Sequence, residues 1–461
     1  SSEQRDDLLP PYHAFSADGD VTAELVYVNY GLPDDYELLE RYGIDVTGKI
    51  VIAKYGRSWR GIKPKLAAEK GAVGAIIYSD PADDGYAKGD VYPKGPFKNA
   101  SGVQRGSVMD MPLYPGDVLT PGKPAIKGTR RLKVNKAPTI TKIPVLPMSY
   151  RDAKPLLAAL EGVVIPQWHG ALPITYHTGP GPAKVHLRVI SDWQRMTIEN
   201  VIAKWPGAEY PDEWILRGNH HDAWNHGAQD PVSGMVAVMA EAKAIAELVK
   251  EGPPPKRTLI FAAWGAEEPG LIGSTEWVEK YRKTLIKKAA VYINSDNNSR
   301  GFASVGGSHT LEPFFDEVLR TIIDPQTGVT VGERLRAYKA VFGDEKQHKE
   351  ISTRKTLRLW PLGSGSDFTP FIQHAGIASA SLGFVGEGNG GSYHTLYDTF
   401  EHFSRFVDPG FRYGNALADM AGTATLRLAN AEVLPFRFSG LADNLTLYLE
   451  QLQDLAEKQR K

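Results

Sequence analysis

The residues best equipped for chemistry lie in four short segments of this 461-residue chain. The first is Gly218-Asn219-His220-His221-Asp222-Ala223-Trp224, where His220 and Asp222 form an H-x-D pair and Asp230 follows in the loop GAQDPVSG. A histidine ligand commonly hands its second ring nitrogen to a carboxylate, which fixes the tautomer, and Asp222 is placed for that task. The second segment is Trp264-Gly265-Ala266-Glu267-Glu268-Pro269-Gly270. Two adjacent carboxylates cannot share one orientation, so one can ligate a metal while its neighbour reaches a water held there. The third and fourth supply Asp296, just past VYINS, and His394 in the glycine-rich GSYH. Two histidines, two terminal carboxylates and a bridging one would make two metal sites of nitrogen and oxygen donors. Paired ions about 3.5–4 Å apart acidify a shared water and polarise a carbonyl, and a carboxylate beside them takes the proton.

Each segment also reads, alone, as a polar loop. Their position along the chain favours the metal reading. Trp214–Arg217, Thr258–Trp264 and Ala289–Ser295 are short apolar runs with β-branched or aromatic members, each releasing an acid or a histidine at its end. Helical patterns occupy Ser233–Lys250, Leu271–Lys283, Glu312–Ile323 and Phe411–Leu428. Strands alternating with helices predict an α/β fold with a central sheet covered on both faces. Ligands collect beyond the carboxyl ends of such strands, where these residues fall. Upstream of about residue 190 the texture is β-rich, with strands expected at Glu24–Val28 and Lys49–Ala53 and a strand–helix–strand through Ile62–Lys70 and Ala72–Tyr78. Dense proline and glycine from Ser79 to Pro144 predict loops, among them GVQRG, a tight turn presenting Arg105.

Composition narrows the chemistry further. The 53 basic and 54 acidic residues nearly cancel, which gives no field for nucleic acid or an anionic membrane surface. Hydrophobic residues at 42% and charged residues at 23% are ordinary for a globular chain. No apolar run approaches the roughly 20 residues of a membrane helix, and Ser1 opens no signal-peptide pattern. With no cysteine, disulfides, thiol nucleophiles and thiolate metal sites are excluded. A metal here sits on His, Asp and Glu, which suits zinc, manganese or calcium.

The series GNHHDAW, DPVSG, FAAWGAEEPGLIGSTEW, YINSD and SYHTLYDT resembles the co-catalytic zinc exopeptidases related to glutamate carboxypeptidase II (prostate-specific membrane antigen) and the transferrin receptor. YGRSWRGIKPKLAAEKGAVGAIIYSDPAD, GVQRG, LTPG and GSGSDF match in the same order, so the resemblance covers nearly the whole chain. It implies a mixed sheet flanked by helices (residues 191–435), an inserted protease-associated domain (1–190), and the start of a helical dimerisation domain at 436–461, truncated relative to the family. It implies two Zn²⁺ per chain, with His220 and Asp296 on one, His394 and Glu268 on the other, and Asp230 between them. Glu267 is then the general base, with Asp222 counted among the catalytic residues. Arg105 and Tyr393 match pocket residues that hold a free C-terminal carboxylate, and a planar guanidinium suits that task. Gly365 matches a backbone contact of the same pocket, and His177 stands where the family has an asparagine. A Ca²⁺ site on Glu276 and Glu279 is implied as well, and oxygen-only ligation suits that cation.

Specificity is expected to differ from glutamate carboxypeptidase II. Its arginine patch is replaced by Ala378-Ser379-Ala380-Ser381-Leu382-Gly383, and the asparagine of the GSG-x-D loop by Ser366. A broader peptide substrate than poly-glutamate follows, with carboxypeptidase polarity preferred over aminopeptidase because Arg105 and Tyr393 are kept. The competing class is a non-catalytic scaffold like the transferrin receptor, which predicts lost ligands, whereas all five ligand positions and the base position are intact. A single-metal hydrolase would leave one ligand set idle. The resemblance also implies an exported enzyme (secreted, periplasmic or a membrane-anchored ectodomain) and a homodimer where the C-terminal domain is present.

Overall fold

The computed structural model describes residues 9–388 and 390–460; residues 1–8 and Lys461, which fall in the first and last of the expected domains, lie outside the described residues. The first part is built on strands β1 (His13–Ala14), β2 (Gly19–Tyr27), β3 (Ile50–Lys54), β4 (Gly74–Tyr78), β5 (Gly106–Ser107), β6 (Val145–Met148) and β7 (Lys184–Val189). β6, β4, β3 and β2 run parallel in that order, and β7 closes the edge antiparallel to β2. β3 and β4 are buried along their whole length, as strands covered on both faces must be. Helices Pro33–Arg41, Ile62–Glu69 and Tyr150–Ala158 accompany them, so this part is α/β rather than simply β-rich. The run beginning at Ile62 is the helix between β3 and β4, Ile62–Glu69. Between residues 79 and 144 the only regular elements are β5 and a short 3-10 turn at Val134–Lys136, in keeping with the density of proline and glycine.

The second sheet holds β8 (Val201–Trp205), β9 (Tyr210–His220), β10 (Arg257–Trp264), β11 (Ala289–Asn294), β12 (Gly301–Gly307) and β13 (Ala378–Gly386). Its order is β12-β13-β11-β9-β10-β8, with the four inner strands parallel and both edge strands antiparallel. Side chains alternate across it. Ile215, Leu259, Val291 and Ile293 pack with Ala237 and Ile245 of helix Ser233–Glu251 and with Ala416–Leu428 of helix Arg412–Asn430. Leu216, Ile260, Ala262 and Tyr292 face the other way, onto Val278 and Leu285 of helix Ile272–Lys288 and onto Phe371. Helices Val331–Phe342, Glu345–Thr353 and Phe438–Arg460 add elements that the apolar periodicity did not mark. No described helix is long and apolar enough to cross a membrane.

β9 is pinned by an ion pair inside the core. Arg217 meets Glu241 of the helix after it in a two-pronged contact, Nε to Oε2 and Nη2 to Oε1 at 2.8 Å each, with both side chains fully buried. Arg217 also donates to the Gly218 carbonyl, one residue before the strand's last pair of residues. Removing one partner strands a charge in the core, whereas replacing both with apolar groups removes the problem. Arg217→Met is therefore expected to lower stability in urea by about 3–5 kcal/mol, and adding Glu241→Leu to recover most of the loss. Equal destabilisation by the single and double replacements would contradict this account of the pair.

Candidate metal centre

Strand register brings the four chemical segments together. His220 is the last residue of β9 and lies opposite Trp264, the last of β10, so Glu267 and Glu268 turn in beside it. Asn294, the last of β11, pairs with Gly218, which sets Asp296 just beyond the same edge. Ala266 takes left-handed backbone (φ 53°) to start the short helix Glu267–Gly270. His394 itself is left-handed (φ 55°), a costly conformation for a residue with a side chain and one held by its surroundings.

At the centre stands Asp230. Its Oδ1 is 3.3 Å from His220 Nε2 and its Oδ2 is 3.3 Å from His394 Nε2. His220 Nε2 is also 3.2 Å from Asp296 Oδ1, and His394 Nε2 is 3.0 Å from Glu268 Oε2. Two clusters result, His220–Glu267–Asp296 and Asp230–Glu268–His394, each with ligand atoms within 4.8 Å of one another. Glu267 Oε2 reaches to 4.0 Å from His220 Nε2.

The surroundings hold these groups in place. His220 Nδ1 faces the backbone carbonyl of Asp222 at 3.0 Å, closer than its carboxylate at 3.7 Å. The Asp222 carboxylate instead accepts from the Glu267 and Glu268 amides at 2.9 and 3.2 Å, so it fixes the turn carrying both glutamates. Ser366 Oγ donates to Asp296 Oδ2 at 2.6 Å. Asp398 accepts from the Gln229 and Asp230 amides at 2.7 and 3.1 Å and thereby sets the Asp230 loop. Sequence reasoning passed over Asp398, four residues after His394, because a carboxylate that binds only backbone has no signature of its own. It also passed over Asp367, fully buried in GSGSDF and raised to about 7 by burial.

Charge in this dry site is unbalanced. Asp222, Asp230, Glu267, Glu268 and Asp296 surround two imidazoles. Burial pushes Glu267 well above the usual carboxylate range, opposed by His220, and raises Glu268 likewise, opposed by His394. Burial would lower His220, but Glu267 and Asp296 outweigh it and lift it well above its ordinary value. His394 is raised in the same way, with Glu268 and Asp230 overcoming burial. Asp230 runs opposite: burial would raise it, yet hydrogen bonds to both histidines hold it far below the carboxylate range. Glu268 Oε1 is buried with no hydrogen-bond partner. Excess negative charge, imidazole and carboxylate donors and an unpartnered buried oxygen fit divalent zinc.

The other residues singled out fall in different places. The backbone of Arg105 pairs with His394, N–H to its carbonyl at 3.0 Å and carbonyl to its Nδ1 at 3.2 Å. Its guanidinium donates to the carbonyls of Leu9, Pro10 and Val103. Tyr393 stacks on the His394 ring (3.7 Å, 20°) and accepts from Arg60 Nη2 at 3.2 Å. Gly365 adopts φ +114° beside Ser366, with open space around it. His177 is half-buried, bonded to the Gly162 carbonyl and bridged to Val164, both within the first part of the chain. Glu276 accepts from the Asp117 amide at 2.8 Å and from the Ala125 amide, and Glu279 accepts from Tyr114 Oη at 2.6 Å. These two clamp the 114–125 loop, and neither belongs to a cluster of three potential ligands among the described residues.

Residues 200–407 match peptidase family M28 and residues 21–110 match the PA domain. The chain thus contains a peptidase family M28 domain over residues 200–407 and, ahead of it, a PA domain over residues 21–110. It is 39% identical over 464 residues to a probable glutamate carboxypeptidase of Arthroderma benhamiae, covering 97% of this chain and 62% of that one. It is 34% identical over 477 residues to aminopeptidase NAALADL1 of Rattus norvegicus, again with 97% and 62% coverage. The chain thus spans under two thirds of the length of these relatives. Among solved structures, a zinc aminopeptidase from Bacillus subtilis superposes with TM-score 0.52 at 17% identity, over 92% of this chain and 78% of that one, which shows a shared fold.

If Asp222 sets the glutamate turn, Asp222→Ala should weaken zinc retention about 10- to 100-fold in chelator competition, and Asp222→Asn should fall between. Unchanged retention in Asp222→Ala would remove it from that role. Chelation should also lower the melting temperature reversibly, because zinc bound to the folded state alone stabilises it.

Proposed function

We propose that this chain is a dizinc exopeptidase that hydrolyses a terminal peptide bond, with carboxypeptidase polarity. The observation that carries the reading is Asp230, which turns one oxygen to each of two histidines that each have their own carboxylate. His220, Asp296 and Asp230 Oδ1 would hold one ion, and His394, Glu268 and Asp230 Oδ2 the other. Zinc bound there supplies Lewis acidity toward a carbonyl and makes a nearby water a stronger acid. Glu267 lies at the same edge without being needed as a ligand. Its burial raises its proton affinity, which suits a group that accepts a proton from the attacking water and returns it to the leaving amine. Tyr393, 42% exposed and stacked on His394, carries a hydroxyl that can donate to a substrate oxygen there.

Polarity rests on charge. Arg105, whose backbone pairs with His394, brings a guanidinium to the PA-domain side of that residue, a cation suited to a free carboxylate. A relative at 39% identity is a probable glutamate carboxypeptidase. One observation favours the aminopeptidase reading instead: the Arg105 guanidinium is already engaged by Leu9, Pro10 and Val103 carbonyls, which a substrate carboxylate has to displace. The uncharged run Ala378–Gly383 supports substrates broader than poly-glutamate. A calcium ion on Glu276 and Glu279 completes the reading by resemblance, and the buried, unpartnered Oε2 of Glu279 supports it. A homodimer is supported by Leu441, Leu445, Leu449, Leu452 and Leu455, an exposed apolar stripe on helix Phe438–Arg460. The cysteine-free composition is compatible with export.

Zinc content by plasma emission is expected near two per chain. A peptide blocked at its amino end should be cut and one amidated at its carboxyl end should not. The reverse preference would establish the aminopeptidase reading, and no metal with no cleavage would end both. Glu267→Gln should retain both ions and lose about 10²–10⁴-fold in kcat; substantial residual turnover would remove Glu267 as the base.

A further inference from the structure

A second cation of the PA domain reaches this site besides Arg105. Arg60 comes from the PA-domain turn Arg57–Gly61, is 7% exposed, and lies over the Trp59 ring at 4.7 Å. Gly106, at φ +150°, makes room for it: a Cβ there would sit 2.6 Å from the guanidinium carbon. Arg60 Nε is buried without a partner, and Nη2 lies 3.2 Å from Tyr393 Oη and 3.3 Å from His394 Nδ1.

Only one of those two contacts survives when His394 acts as a ligand. His394 Nε2 faces Asp230 and Glu268, so it is the donor nitrogen. Nδ1 then carries the ring proton, which the Arg105 carbonyl at 3.2 Å accepts. A protonated Nδ1 has no lone pair for Arg60. The Arg60 proton is left to Tyr393, whose phenol oxygen both accepts and donates, whereas a guanidinium only donates. With its lone pair taken on the Arg60 side, the Tyr393 O–H hydrogen is turned away from Arg60. Tyr393 is 42% exposed and its ring is stacked on His394, which leaves that hydrogen for a substrate oxygen beside His394.

We propose that Arg60 is a positioning residue: by donating to the Tyr393 oxygen it fixes the Tyr393 proton as a donor aimed at the substrate oxygen beside His394. This rests on the reading of the site as an exopeptidase centre. A donor oriented before the reaction needs no reorganisation when negative charge develops on that oxygen. The arrangement also gives the PA domain a task in the chemistry, since the residue that orients Tyr393 lies more than three hundred positions upstream of it.

The test is a double-mutant cycle of Arg60→Met and Tyr393→Phe, read as kcat, KM and zinc content on a peptide cut by the wild type. Each single replacement should lower kcat about tenfold or more with KM little changed, and the double should fall no lower than Tyr393→Phe alone. Zinc content should stay that of wild type throughout. Losses that multiply in the double would overturn the proposal, as would loss of zinc from Arg60→Met, which would tie Arg60 to His394 instead. If Arg60→Met fails to fold, Arg60→Lys keeps the charge without the fork. Its smaller loss should vanish in the Tyr393→Phe background, and persistence there would overturn the proposal equally. A wild type with neither zinc nor turnover would instead strike down the exopeptidase reading on which this one stands.

Discussion

The site is organised around a single carboxylate shared between two imidazoles. Asp230 can turn one oxygen to His220 and the other to His394 only if three strands end in register and one loop returns at a fixed height. The sheet meets the first condition: β9, β10 and β11 are parallel, inner and buried, so their carboxyl ends form one rigid edge. Asp398 meets the second by taking the amides of Gln229 and Asp230 onto its carboxylate. Much of the remaining polar structure serves this geometry. Asp222 holds the glutamate turn, Ser366 holds Asp296, and the Arg217–Glu241 pair anchors the strand that delivers His220.

The PA domain is part of the site rather than an appendage to it. Arg105 and His394 exchange contacts through backbone and ring, which secures a candidate ligand held in left-handed backbone. The same domain contributes Arg60 against Tyr393. His394 and Tyr393 thus draw contacts from outside the peptidase sheet as well as from within it. Packing between the two parts therefore bears on chemistry as well as stability.

Much of this was legible in the sequence because the chemistry sits at strand ends. The runs Thr258–Trp264 and Ala289–Ser295 are nearly the observed β10 and β11, and the helix expected at Ser233–Lys250 ends one residue later, at Glu251. Strands β12 and β13 escaped notice because Gly301–Gly307 and Ala378–Gly386 are rich in glycine, alanine and serine, so packing rather than propensity makes them strands. The residues in the two histidine-centred clusters were all singled out, since histidine and paired acids are conspicuous after apolar runs. Side chains that act on backbone or on one another were not. Asp222 was expected to orient His220 with its carboxylate, yet a backbone carbonyl does so and the carboxylate caps the next turn. Arg105 was expected to present its guanidinium to a substrate carboxylate, and its backbone contact with His394 had no signature in the sequence. Spacing identifies residue types near a site; which atom of each residue does the work depends on packing that sequence alone does not specify.

The central claim is that Asp230 lies between two metal ions. Crystals soaked in zinc and measured on both sides of the zinc absorption edge test it directly. Two anomalous peaks are predicted, one enclosed by His220, Asp296 and Asp230 Oδ1 and the other by His394, Glu268 and Asp230 Oδ2. A single peak, or peaks that leave Asp230 coordinated on one side only, would contradict the account.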